Sequence, residues 1–290
     1  KGFSSFLVAP AILSYFSNLI GEYPFTILNN VQSTTRYGGM ENAGCIFYDE
    51  KSLNADLRST HLVAHEIAHQ WFGNTVTELD WSHLWLSEGF ATFLTNVYIQ
   101  FSEGEVAFLA QLAQDRKKVI RFYDSFKNPL VDSLTTDINL LLNPNAYQKG
   151  AWILHMLRQE MGDTAFFLGL KDFYATYKFR NANTLDFFRS MQPYSHKNLD
   201  NFISQWVYQE GHPILHEDSR NRSELVLSQL QKELFSFPLQ IKFKDSYGHT
   251  ELVDVEVNTR VVKINVPDKL QGKSWEYILD PQVRLLFEAD

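Results

Sequence analysis

With 290 residues, the chain is long enough for one large domain or two moderate ones with a real core. Hydrophobic residues make up 44% and charged residues 21%, and a formal net charge of −8 with no basic face to offset it argues against a general nucleic-acid binder. Cys45 is the only cysteine, so no internal disulfide can form, and no apolar run reaches the roughly 18 residues of a membrane span.

The chain starts Lys1-Gly2-Phe3, without an initiator methionine or a signal-peptide pattern, and reads as a cut through a longer polypeptide whose compartment stays open. Residues 6–20 are mostly apolar and predict a helix, followed by Gly21 and a short strand around Pro24–Leu28. A glycine-bearing stretch, Gly38-Gly39-Met40-Glu41-Asn42, precedes a second strand at Cys45–Tyr48. Apolar residues then recur at three- and four-residue spacing in 59–72, 84–101, 106–122, 146–161, 165–177 and 199–208, predicting helices. Gly211 and Pro213 mark the end of the last one.

After a polar linker, Glu217–Arg222, the period changes to two: Phe237, Leu239, Ile241 and Phe243 alternate with polar neighbours, as do Val253, Val255, Val257 and Val262, Ile264, Val266. Pro238 predicts an edge strand, and Asn258-Thr259 a hairpin turn. The expected architecture is α+β in two domains. Residues 1–217 form a mostly helical unit, and 223–290 a small all-β, sandwich-like one.

His65-Glu66-Ile67-Ala68-His69 lies within a helical pattern, where positions four apart differ by only about 40° around the axis. Both imidazoles therefore leave one face and can reach one zinc ion at about 2.0–2.1 Å. Glu66, about 100° round from His65, can reach a water on that ion without ligating it. His61 cannot share the ion with His69, because eight residues of helix separate them by about 12 Å. A third ligand has to come from another helix. Glu88, 19 positions after His69 on the next amphipathic stretch, would return beside the imidazoles if the two helices run antiparallel. His83 and Asp80 are weaker candidates, expected on the connecting loop. Two imidazoles and one carboxylate leave a coordination position for water, as catalytic zinc requires.

HEIAH, eighteen residues, then Glu88 resembles the gluzincin arrangement, and the fuller string HEIAHQWFGNTVT…LWLSEGFA is similar to the aminopeptidase N and leukotriene hydrolase family. Gly38-Gly39-Met40-Glu41-Asn42 resembles that family's GxMEN exopeptidase signature, and Tyr147-Gln148-Lys149-Gly150 its Tyr-x-Lys-Gly stretch. The resemblance runs from about Leu13 to Pro213. It implies a thermolysin-like catalytic domain, one zinc ion on His65, His69 and Glu88, and Glu66 and Tyr147 as catalytic residues. It further implies substrate binding by Gly38, Gly39, Met40, Glu41 and Asn42, peptides with a free N-terminus as substrates, and a β-rich domain upstream in the full-length protein. A zinc endopeptidase of thermolysin type shares the ligand pattern but has no use for an ammonium-binding Glu41. A non-catalytic peptide-binding module on this fold is the third reading; such proteins usually lose Glu66 or a ligand. Core packing or a pocket wall is expected for Trp71, Trp81 and Trp85, and surface or capping roles for His155, His196, His212, His216 and His249.

Overall fold

The computed structural model describes residues 2–290, and the chain divides into two compact units. The first takes residues up to 122 together with 129–208; the second takes 123–128 and 209–290. No helix among the described residues is long and apolar enough to cross a membrane.

The first unit opens with two helices, α1 (Gly2–Phe6) and α2 (Ala9–Leu19), where one was predicted. Pro10 explains the break: it has no N–H to continue a helix but is tolerated in a first turn. A three-stranded sheet follows, in the order β1 (Asn29–Ser33), β3 (Cys45–Asp49), β2 (Gly39–Met40). The strand predicted at 24–28 thus begins later, at Asn29. Next comes α3 (Leu57–Ala68), whose first turn is capped by the Asp56 carboxylate accepting from the Ser59 amide at 2.9 Å.

A short strand β4 (Val76–Glu78) links α3 to α4 (Trp85–Glu103). The latter is buried without interruption from Trp85 to Ile99, as expected of a helix that other helices surround. Packed against it are α2, α3 and α7 (Gly150–Met161). The remaining elements are α5 (Glu105–Ser125), α6 (Ile138–Leu141), α8 (Asp163–Tyr177), β5 (Arg180–Ala182), α9 (Thr184–Met191) and α10 (Asp200–Ile203). Strand β5 pairs in parallel with β4. Helix α9, absent from the periodicity reading, is set by a capping box between Asn183 and Asp186. The stretch 204–208 continues α10 as a single π turn.

The plentiful aromatic residues do form the core here: Phe72, Phe90, Phe173 and Phe187 are all buried and meet ring against ring. Trp71 and Trp85 are fully buried, each with its indole N–H donating, to the Gly21 carbonyl and the Thr184 hydroxyl respectively. Trp81 corrects the core expectation, being 55% exposed. His155 corrects the surface one: it is buried, meeting the rings of Trp152 and Phe108 edge to face.

The second unit is all β apart from residues 123–128. One sheet has the order β10 (Val261–Asn265), β7 (Glu224–Gln229), β6 (Ile214–Arg220), β12 (Glu288–Ala289); the other is β11 (Trp275–Leu279), β8 (Phe237–Asp245), β9 (Thr250–Val257). The segment read as a linker at 217–222 is largely strand β6, whose side chains become exposed towards its end and so lose the apolar signal.

Strand β8 is central rather than at an edge, yet β11 covers only Ile241–Asp245, so Pro238 sits where one side is open. Nor is Asn258-Thr259 a hairpin turn, since β9 pairs with β8 and β10 with β7; this connection crosses between sheets. His212, expected at the surface, is buried beside Tyr123 and 3.4 Å from the Glu288 carboxylate.

Candidate metal centre and active site

His65 and His69 leave the same face of α3 near its C-terminal end, with ring centres 4.7 Å apart. Glu88, in the first turn of α4, meets them there. Its Oε2 lies 3.2 Å from His65 Nε2 and 3.3 Å from His69 Nε2, and the two imidazole nitrogens are 3.1 Å from each other. Among the described residues this is the only cluster of three such groups able to hold a metal ion.

The donor chemistry fits a divalent cation. His69 Nδ1 is 3.1 Å from the Phe72 carbonyl, which can only accept, so Nδ1 carries the hydrogen and Nε2 turns its lone pair to the cluster. Two nitrogen lone pairs and a carboxylate facing one another attract a positive charge. A proton competes for the same place. Burial by itself would lower His69, but the charge of Glu88 outweighs it and raises the pKa to about 10. Burial would likewise raise Glu88, and the two imidazoles outweigh that and hold it below the usual carboxylate range. A metal ion bound there displaces that proton.

Glu66 is buried beside the cluster, and that burial raises its carboxyl to about 8, with the charges of Glu41 and Glu88 adding to the shift and His69 opposing it. Its neighbour is the backbone of Gly39: an added Cβ there would stand 2.2 Å from Glu66 Oε1. Glycine at 39 therefore lets strand β2 lie against the Glu66 carboxylate. Glu41 comes directly after β2 and is half-buried. Its charge is felt at His65, Glu66, His69 and Tyr147 alike. Gly38 lies against Leu62, while Met40 and Asn42 are turned outward.

Tyr147 sits in a π turn, Asn145–Lys149, that leads into α7. Its ring is nearly parallel to that of His65, 6.0 Å away. Burial, reinforced by the charge of Glu88, pushes the phenol well above its ordinary pKa, so the hydroxyl keeps its proton. What brings this turn to Glu88 is a helix crossing without side chains. Gly89 and Gly150 face each other, and an added Cβ on Gly89 would meet Gly150 Cα at 2.9 Å. A cavity of about 250 Å³ opens beside His65 and Tyr147, lined also by His61, Leu62, Thr92, Thr95 and Asn96.

The weaker metal candidates are occupied elsewhere. His61 pairs with Glu103 at 2.6 Å, His83 bonds the Thr184 hydroxyl at 2.8 Å, and Asp80 caps the turn at Ser82. Sequence reasoning missed several supports of the site. Among them are Gln70 and Asn74, which bond the Glu41 carbonyl, and Glu78, which accepts from the Ser87 hydroxyl next to Glu88. Gln70 and Asn74 stand in the quoted string HEIAHQWFGN, but a single polar residue at a helix end carries no periodicity that marks its partner.

Residues 6–206 match the family described as the peptidase family M1 domain. Among similar proteins, "Probable aminopeptidase 2" of Sulfurisphaera tokodaii is 32% identical over 295 residues, covering 92% of this chain and 38% of that protein. "Glutamyl aminopeptidase" of Bos taurus is 30% identical over 227 residues, covering 73% of this chain and 24% of its own length. "Probable aminopeptidase 1" of Saccharolobus solfataricus is also 30% identical, with 76% of this chain covered. The chain thus spans well under half the length of these relatives.

Proposed function

This chain belongs to peptidase family M1, and on that premise we propose that the protein is a zinc-dependent aminopeptidase, cutting the first peptide bond of peptides with a free N-terminus. The observation that carries the reading is the convergence of His65, His69 and Glu88, with the charges of Glu88 and Glu41 felt at the buried Glu66. The names of the relatives, all aminopeptidases, support the same reaction. The first unit is taken to be a thermolysin-like catalytic domain and the second a small sandwich-like one.

His65, His69 and Glu88 would hold the ion, which when bound supplies an acidified water and polarises the scissile carbonyl. Glu66 takes the proton of the attacking water and later hands it to the leaving amine. A buried carboxyl with a raised pKa suits both halves of that task. Tyr147, un-ionised, donates a hydrogen bond to the oxygen that gains charge as the carbonyl becomes tetrahedral. Glu41 pairs with the substrate's terminal ammonium ion. A longer peptide without that charge would leave Glu41 unmatched in a dry cleft, which favours single-residue removal over internal cutting.

The test is turnover of an aminoacyl anilide by the intact protein. Chelation silences it and zinc restores it, whereas Glu66→Gln removes turnover with zinc still bound. Turnover that survives chelation, or an active Glu66→Gln enzyme with its zinc in place, defeats the reading.

A further inference from the structure

We infer that Gln70 is a positioning residue for recognition of the substrate's N-terminus: it ties the loop carrying Glu41 to the helix carrying the metal ligands. This rests on the proposed role of Glu41 as the ammonium anchor.

Gln70 follows His69 directly, in the tightened turn that ends α3, and is fully buried. Its amide brackets the loop after β2 at both ends. Nε2 donates to the Glu41 carbonyl at 3.0 Å, and Oε1 accepts from the Gly44 amide at 2.9 Å. A backbone carbonyl can only accept and an amide can only donate, so of the neutral or acidic side chains of this length only an amide satisfies both. Glutamate there would set a carboxylate oxygen against the Glu41 carbonyl. Asn74, four residues on, donates to that same carbonyl through Nδ2.

The loop has need of such a fastening. Asn42 and Ala43 are exposed, and Gly44 takes a φ of +72° to turn the chain back into β3. Gln70 and the ligand His69 are consecutive residues. The distance from the metal site to the ammonium anchor is therefore set through one peptide unit and one side chain, rather than through the length of the sheet. With that span fixed, a peptide whose terminal ammonium reaches Glu41 presents its first carbonyl, and no later one, at the metal.

The experiment compares two substrates on the intact, zinc-loaded protein. One is an aminoacyl anilide and the other its des-amino analogue, which lacks the ammonium group. Wild type should prefer the first strongly. Gln70→Met, similar in length but without the amide, should raise KM for the free-amine substrate by about tenfold, the scale of two lost hydrogen bonds. Zinc content and the rate on the des-amino analogue should be unchanged, so the preference shrinks. Asn74→Ala, at a half-buried position, should shift KM in the same direction by a smaller factor, and serves if Gln70→Met fails to fold. A folded Gln70→Met enzyme that keeps the full preference overturns the inference while leaving Glu41 as anchor. So does an Asn74→Ala enzyme with unchanged KM where the Gln70 variant does not fold. A wild type that treats both substrates alike overturns the role of Glu41 and this inference with it.

Discussion

Tyr147 differs from Glu66 in what burial does for it. For Glu66, burial makes a proton easier to hold and so creates a group that exchanges protons near neutrality. For Tyr147 it removes ionisation altogether, leaving a fixed hydrogen-bond donor. Tyr147→Phe should therefore lower kcat by about 10²–10³-fold, the usual loss for one oxyanion donor, with KM little changed. A steady-state comparison checks this, and a variant of wild-type kcat contradicts the donor role. At this scale the sequence was most readable where helical geometry relates residues by number: the four-residue step from His65 to His69 survives folding as two rings 4.7 Å apart. Gln70 was unreadable because its partners, Glu41 and Gly44, lie 29 and 26 residues away and are backbone atoms that any residue would supply.

Helices α4 and α7 act as a pair, and the residues at their crossing explain why Glu88 and Tyr147, both assigned to the proposed site, occur where they do. Gly89 follows Glu88, and Gly150 comes three positions after Tyr147. The close approach of the two backbones thus brings the candidate ligand Glu88 and Tyr147 to the same place. The atoms facing Gly89 are all backbone, at 2.9–3.1 Å, and cannot rotate away. Gly89→Ala should destabilise the first unit by about 1–3 kcal/mol through overpacking and reduce turnover as well. Denaturant unfolding and activity measured together test this, and a variant unchanged in both would mean the helices separate freely.

Helices with a clean apolar stripe, such as α5 and α8, were legible in the sequence. The π turn at 145–149 reads as ordinary helix because it is a single turn running straight into α7, so the apolar spacing that follows it is undisturbed. The strand pairings of β9 and β10 were misread for a different reason: alternation marks a strand but says nothing about its neighbour.

At the scale of the whole molecule, every group assigned to the proposed chemistry, Glu41, His65, Glu66, His69, Glu88 and Tyr147, belongs to the first unit. The second unit has its own interior, with Leu227, Phe237, Ile241 and Phe243 buried, and its own polar fastening at Asp245. That buried carboxylate accepts from the amides of Tyr247 and His249, the His249 ring and Lys273. The candidate ion-binding site thus depends on how α3 and α4 pack within one unit. Zinc K-edge absorption on the intact protein with one equivalent of zinc measures that directly. The expected spectrum shows four-coordinate zinc with two imidazole nitrogens and oxygen ligands at about 2.0–2.2 Å, losing one imidazole in His69→Ala. Zinc that fails to bind stoichiometrically, or that binds without histidine, would contradict a metal centre built from His65, His69 and Glu88.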